Sequence, residues 1–136
     1  MSIDLGRREI TLSNDDLIVT ETDAKGVIKF ASKDFCKIAG YTKEELIGSP
    51  HNLIRHPLMP SSIFKDLWQT LQSGKIWNGI VINHTKNGGY YWVNATIFIS
   101  KSSDGTVKYI SVRIKPTKED IDKAHKLYQE LKSKGL

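Results

Sequence analysis

The sequence predicts an α+β fold, and three observations carry that expectation. Runs of β-branched and aromatic residues come in two groups, a pair near the N-terminus and three in the second half. Between and after them lie segments with apolar residues at helical spacing. Tight-turn sequences, Asn87-Gly88-Gly89 and Ser103-Asp104-Gly105, separate the three later runs, so those strands are consecutive and antiparallel. A chain of 136 residues suits one domain around a single core.

Residues 1–16 show no sustained period and are expected to be a lead-in or a short cap that packs on a partner. Leu17–Thr22 and Val27–Ala31 read as a hairpin about the turn Asp23-Ala24-Lys25-Gly26. Lys33–Ala39 is a short helix with Phe35 and Ile38 inward, closed by Gly40. Cys36 on that helix reads as a small apolar residue, because no metal-ligand or redox spacing surrounds it. Thr42-Lys43-Glu44-Glu45 is a capping box for a brief helix that Gly48 and Pro50 stop. From Pro60 to Gln72, Ile63, Leu67, Trp68 and Leu71 recur at helical spacing, which assigns Trp68 to the core.

Trp77–Thr85, Tyr90–Ser100 and Thr106–Lys115 are the later strands. Alternation puts Tyr91, Val93, Ala95, Ile97 and Ile99 on one buried side, and Ile110, Val112 and Ile114 on the buried side of the next strand. Trp77, Val81 and Asn83 share a face, while Ile80 and Ile82 make the opposite face apolar, so both faces are expected to be covered. An inward Asn83 needs a hydrogen-bond partner, either backbone or a ligand edge. Thr117 opens a last helix with Ile121, Ala124, Tyr128 and Leu131 on one stripe, to pack on the domain or extend from it. His125 reads there as a solvated residue.

The stretch Gly48–Pro60 stands apart. Three prolines in thirteen residues forbid one regular element, yet two histidines and an arginine are interleaved with Leu53, Ile54, Leu58 and Met59. Such a segment either lies over a core as a simple lid or turns its polar groups toward a ligand.

Composition narrows the function. The net charge of +5 is spread, with no run of like charges, so nucleic acid is not an expected partner. No apolar stretch approaches the roughly 20 residues that span a bilayer, and the N-terminus has no apolar signal core. A single cysteine fits a reducing, cytoplasmic compartment. No nucleophile elbow, glycine-rich phosphate loop or HExxH cluster appears, so an enzyme is not expected.

The order strand, strand, short helices, longer helix, three strands resembles a PAS domain, as do Phe35-Cys36-Lys37-Ile38-Ala39-Gly40-Tyr41 and Glu44-Glu45-Leu46-Ile47-Gly48. Pro50-His51-Asn52, Arg55-His56-Pro57, Met59-Pro60, Trp77, Gly79-Ile80-Val81, Asn83, Lys86-Asn87-Gly88 and Tyr91-Trp92-Val93 resemble more closely the PAS domain of bacterial aerotaxis and energy-taxis receptors. The resemblance implies a five-stranded antiparallel sheet with short helices over one face and a C-terminal helix. It divides the chain into a lead-in (1–16), a PAS domain (17–116) and a C-terminal helix (117–136). It also implies a sensory module that holds FAD without a covalent bond and signals its redox state. Arg55, His56, Trp77, Asn83 and Tyr91 fall on positions around the flavin cleft, and Ser32 stands where such receptors tend to have asparagine. Leu58 stands where they tend to have aspartate, which removes a partner for Arg55 or the cofactor. Flavin photoreceptors of the LOV type need a cysteine near the place of His51, so adduct photochemistry is not expected.

With no spanning segment or catalytic output domain in the chain, output is expected through a protein contact. The partner is a chemoreceptor, another signalling protein or a second copy, with membrane association only through that partner. The rival expectations are a cofactor-free PAS module that docks or dimerises, and a haem sensor with His51 or His56 as axial ligand.

Overall fold

The two groups of β-forming runs meet in one sheet. The computed structural model describes residues 4–136. β1 (Ile18–Thr22) and β2 (Ile28–Ala31) form the hairpin, and β3 (Trp77–His84), β4 (Tyr90–Lys101) and β5 (Val107–Ile114) form the meander. β5 pairs with β1, giving the order β2-β1-β5-β4-β3, antiparallel throughout. Helices α1 (Lys33–Ala39), α2 (Lys43–Leu46) and α3 (Ser61–Gln72) connect β2 to β3 over the inner face. Gly40 closes α1 in the left-handed region at φ 81°, and α2 carries the expected capping box between Thr42 and Glu45. The proline-rich stretch folds as a 3₁₀ turn, His51–Ile54, followed by a backbone bridge from Arg55 to Asn83.

The inner core joins Phe35, Ile38 and Leu46 to Ile18, Ile28, Tyr91 and Val93. A second cluster lies on the outer face, because α4 (Lys118–Ser133) packs back on the sheet. Leu58, Met59, Ile82, Trp92, Ala124 and Tyr128 fill it. Full burial of each large side chain there is worth about 1.5–3 kcal/mol. Both faces of β3 are therefore covered, as its two apolar parities suggest. His125 is not a solvated residue: its ring tilts against Trp92 at 5.8 Å and its Nε2 is buried.

Two further expectations are overturned. On β5 the inward side chains are Tyr109, Ser111 and Arg113, with Ser111 and Arg113 buried, while Ile114 is 48% exposed. Ile110, Val112 and Ile114 form the outer side instead, in register with Glu21, Val19 and Asn94. Trp68 is 44% exposed and leaves the core stripe to Leu67 and Leu71. Both misreadings share a cause, given below: polar groups and open space occupy part of the inner face.

The lead-in is partly ordered on the domain. Ile10 N donates to Tyr90 O and Tyr90 N donates to Arg8 O, and Leu12 is buried in the inner core. Residues 1–3 of the expected lead-in lie outside the described residues.

Candidate ligand cavity

The alternation that points Asn83, Ser111 and Arg113 inward also opens a space beneath them. A cavity of about 350 Å³ lies between the inner sheet face, the 3₁₀ turn and α3. That volume falls in the range of small-molecule sites, about 300–1,000 Å³. Ile54, Leu67, Leu71, Val81 and Ile97 give it apolar walls. Thr20 and Thr22 from β1, Asn83 from β3 and Ser111 with Arg113 from β5 make the sheet side polar. Lys25, Asn52, Arg55 and Trp68 are exposed lining residues and mark the mouth.

Arg113 is only 4% exposed. It donates to Thr20 Oγ1 at 3.3 Å and to His51 Nε2 at 2.6 Å. The His51 ring nitrogen that accepts this bond is unprotonated, and burial followed by the Arg113 charge pushes the His51 pKa down to about 3. Burial lowers the Arg113 pKa to about 10, which leaves it a cation at neutral pH. Asn83 Nδ2 and Ser111 Oγ are buried without a hydrogen-bond partner, and so is Tyr91 Oη beside Asn83. An unsatisfied buried polar group costs about 1–3 kcal/mol. Two of these atoms, Asn83 Nδ2 and Ser111 Oγ, belong to residues lining the cavity, so its sheet side has hydrogen-bonding capacity to offer. At the mouth, the Arg55 guanidinium lies 4.0 Å over the Phe64 ring, and Trp68 meets Tyr109 edge-on at 5.2 Å.

Of the six residues singled out by sequence, Arg55 and Asn83 line this cavity. The other four stand around it. Ser32 Oγ accepts from Val19 N and donates to Leu17 O, tying α1 to β1. His56 points to the N-terminal segment: its Nε2 donates to Leu5 O at 2.7 Å and its Nδ1 accepts from Leu58 N at 3.0 Å. Trp77 donates its indole N–H to Asp66 at 3.0 Å. Its ring crosses Gly79, where a Cβ would sit 2.4 Å from Cη2, so only glycine leaves room. Tyr91 is wholly buried behind Asn83, and burial pushes its phenol pKa upward. Leu58 is buried in the outer cluster under α4 and is not among the residues that line the cavity. Sequence reasoning missed Arg113, Ser111, Thr20 and Tyr109. The available signal was the polar parity of β5, which runs opposite to its isoleucines.

A five-stranded antiparallel sheet in this strand order, with helices over one face and a polar-walled cavity beneath them, defines a PAS domain. Residues 28–113 match the family described as PAS fold, and the chain belongs to that family. It is 40% identical over 121 residues to the aerotaxis receptor of Escherichia coli strain K12, covering 88% of this chain and 24% of that protein. It is 28% identical over 116 residues to the nitrogen fixation regulatory protein of Klebsiella pneumoniae, covering 85% of this chain and 22% of the other. The chain thus spans about a quarter of the length of these relatives. Among solved structures, the dark structure of the blue-light photoreceptor Aureochrome1 LOV matches with a TM-score of 0.65 at 18% identity, over 89% of this chain and 86% of that one. A fungal LOV domain photoreceptor matches with a TM-score of 0.64 at 21% identity, over 85% and 81%. At those identities the likeness is one of fold.

Proposed function

We propose that the chain is a sensory PAS domain that binds FAD non-covalently in this cavity and passes the cofactor's redox state to another protein. The observation that carries the proposal is the polar sheet wall, where Asn83, Ser111 and Arg113 face a cavity and two of them hold unpartnered atoms. A flavin ring supplies flat apolar faces for Ile54, Leu71 and Val81, and an edge of donors and acceptors for that wall. Arg55 and Lys25 at the mouth supply cations for a pyrophosphate. Trp77 and Tyr91 shape the wall from behind, Ser32 anchors the first helix, and His56 holds the N-terminal segment. The 40% identity to an aerotaxis receptor supports the same reading. When bound, the cofactor supplies reversible electron uptake, and the protein supplies groups that interact differently with its two states.

The haem alternative is disfavoured by the histidines. Both ring nitrogens of His56 are engaged by backbone, and a guanidinium meets His51 Nε2. One observation favours protein contact as the route of output. The outer face away from α4 carries Leu17, Phe30, Ile76 and Ile114, exposed by 41–65%, around half-buried Ile110, Val112 and Phe98. Such a patch suits a signalling partner or a second copy. The test is the visible spectrum of purified protein, or of protein incubated with FAD, before and after dithionite. The expected result is a bound flavin spectrum that bleaches, with FAD released by heat. No binding at saturating FAD overturns the proposal.

A further inference from the structure

Arg113 is a buried cation with neutral company. Thr20 and His51 are its two hydrogen-bond partners, and among the described residues none of the ion pairs includes it. Among the described residues no aspartate or glutamate lines the cavity, whereas Lys25, Arg55 and Arg113 do. Burying a charge without a counter-charge is costly, and structures normally supply one. Two of the five guanidinium donors are occupied, so others remain for a ligand. Thr20 and His51 hold the group at the sheet wall, beside the free atoms of Ser111 and Asn83.

We propose that Arg113 makes this cavity selective for the reduced, electron-richer form of its cofactor. This inference rests on the flavin reading. Two electrons from a reductant and one proton from water convert the neutral oxidised ring into a reduced ring of single negative charge. A fixed positive charge in a water-poor cavity stabilises that product more than the neutral starting ring. The oxidised and reduced forms then bind with different affinity, and the logarithm of the ratio of the two affinities sets the shift in midpoint potential caused by the protein. Thr20 is a positioning residue for this charge, and a carboxylate in its place would neutralise it.

The test compares FAD-loaded wild type with Arg113→Met, Arg113→Lys and Thr20→Asp, each checked for folding by circular dichroism. Arg113→Met deletes the charge. Thr20→Asp keeps the arginine and supplies the missing counter-charge, so it decides the matter should Arg113→Met fail to fold. Midpoint potentials are read by dithionite titration against a redox dye. Arg113→Met and Thr20→Asp are expected to lose at least tenfold in preference for the reduced form, a midpoint about 30 mV more negative for a two-electron couple. Arg113→Lys is expected to retain most of the wild-type value. Unmoved midpoints in the charge-removing variants overturn the inference, as does a lysine variant that falls as far as the methionine one. Wild type that binds no FAD overturns the functional reading and this inference together; wild type that binds FAD with unmoved variant midpoints overturns this inference alone.

Discussion

The two faces of β3 and β4 are both buried, yet they are filled in opposite ways. On the outer face Ile82 and Trp92 meet Ala124 and Tyr128 of α4, and the Tyr128 hydroxyl donates to Ile80 O. On the inner face Asn83 and, on the neighbouring β5, Ser111 line a cavity with polar atoms that have no partner. The outer face holds the fold together. The inner face leaves polar groups unpaired at a cavity, at a cost in stability, which is the arrangement the proposed cofactor site requires. The sharpest test of this division substitutes one residue from each side. Trp92→Ala is expected to lose about 3–5 kcal/mol. Asn83→Ala deletes an unpartnered donor and is expected to lose under about 1 kcal/mol in the absence of ligand. Urea unfolding followed by circular dichroism measures both. With FAD added the order reverses in kind: folded Trp92→Ala protein still binds, whereas Asn83→Ala retains less and loses any redox-dependent hydrogen exchange at residues 4–16 and α4. Equal destabilisation by the two substitutions would erase the distinction.

The fold was legible because its signals are local. Capping at Thr42 and Thr117, the glycine turn after Gly88 and the β-branched runs each act within a few residues. The site was legible only in part. Asn83 stood out as a polar residue on an inward parity, and Arg55 as a cation in a proline-rich segment. Arg113 was hidden because the isoleucines of β5 claim the buried face under the rule that apolar residues point inward. That rule fails here for a physical reason. The inner face near β5 lines a cavity and carries polar groups, while the outer face leaves Ile114 exposed. Trp68 was misassigned for the same reason, since the space beneath α3 is cavity on one side and solvent on the other.

A second way to sharpen the comparison uses pH. His51 belongs to the cavity side and His56 to the contact between the proline-rich segment and the N-terminal residues. Burial holds both imidazoles neutral, the first with a pKa near about 3 and the second below its ordinary value. Below the unfolded value of 6.5 the unfolded chain takes up protons that the folded chain refuses. Their contribution to stability is therefore fully present above pH 6.5 and is lost as pH falls through the folded values. The slope for His51 approaches about 1.4 kcal/mol per pH unit. The urea midpoint is expected to be lower at pH 5 than at pH 7.5, and His51→Gln is expected to flatten that dependence. An unchanged profile in His51→Gln would mean that the imidazole is protonated in the fold and does not accept from Arg113.

The smallest effect on stability is expected at the cavity mouth, where the two regions differ most in kind from a packed core. Trp68 is 44% exposed and touches the domain through the edge of Tyr109. Its truncation leaves little apolar surface newly wet, so Trp68→Ala should shift unfolding by no more than about 0.5 kcal/mol. The same ring stands beside Arg55 and Phe64 among the residues lining the cavity, where an occupant leaving the cavity would pass it. Its loss is expected to speed FAD release several-fold, read as the rate at which flavin fluorescence recovers on dilution. A core tryptophan would give the opposite pattern, large destabilisation with release tracking unfolding. If Trp68→Ala releases FAD at the wild-type rate while stability is also unchanged, the mouth makes no contact with the occupant. Retention then rests on the polar wall of Asn83, Ser111 and Arg113 alone.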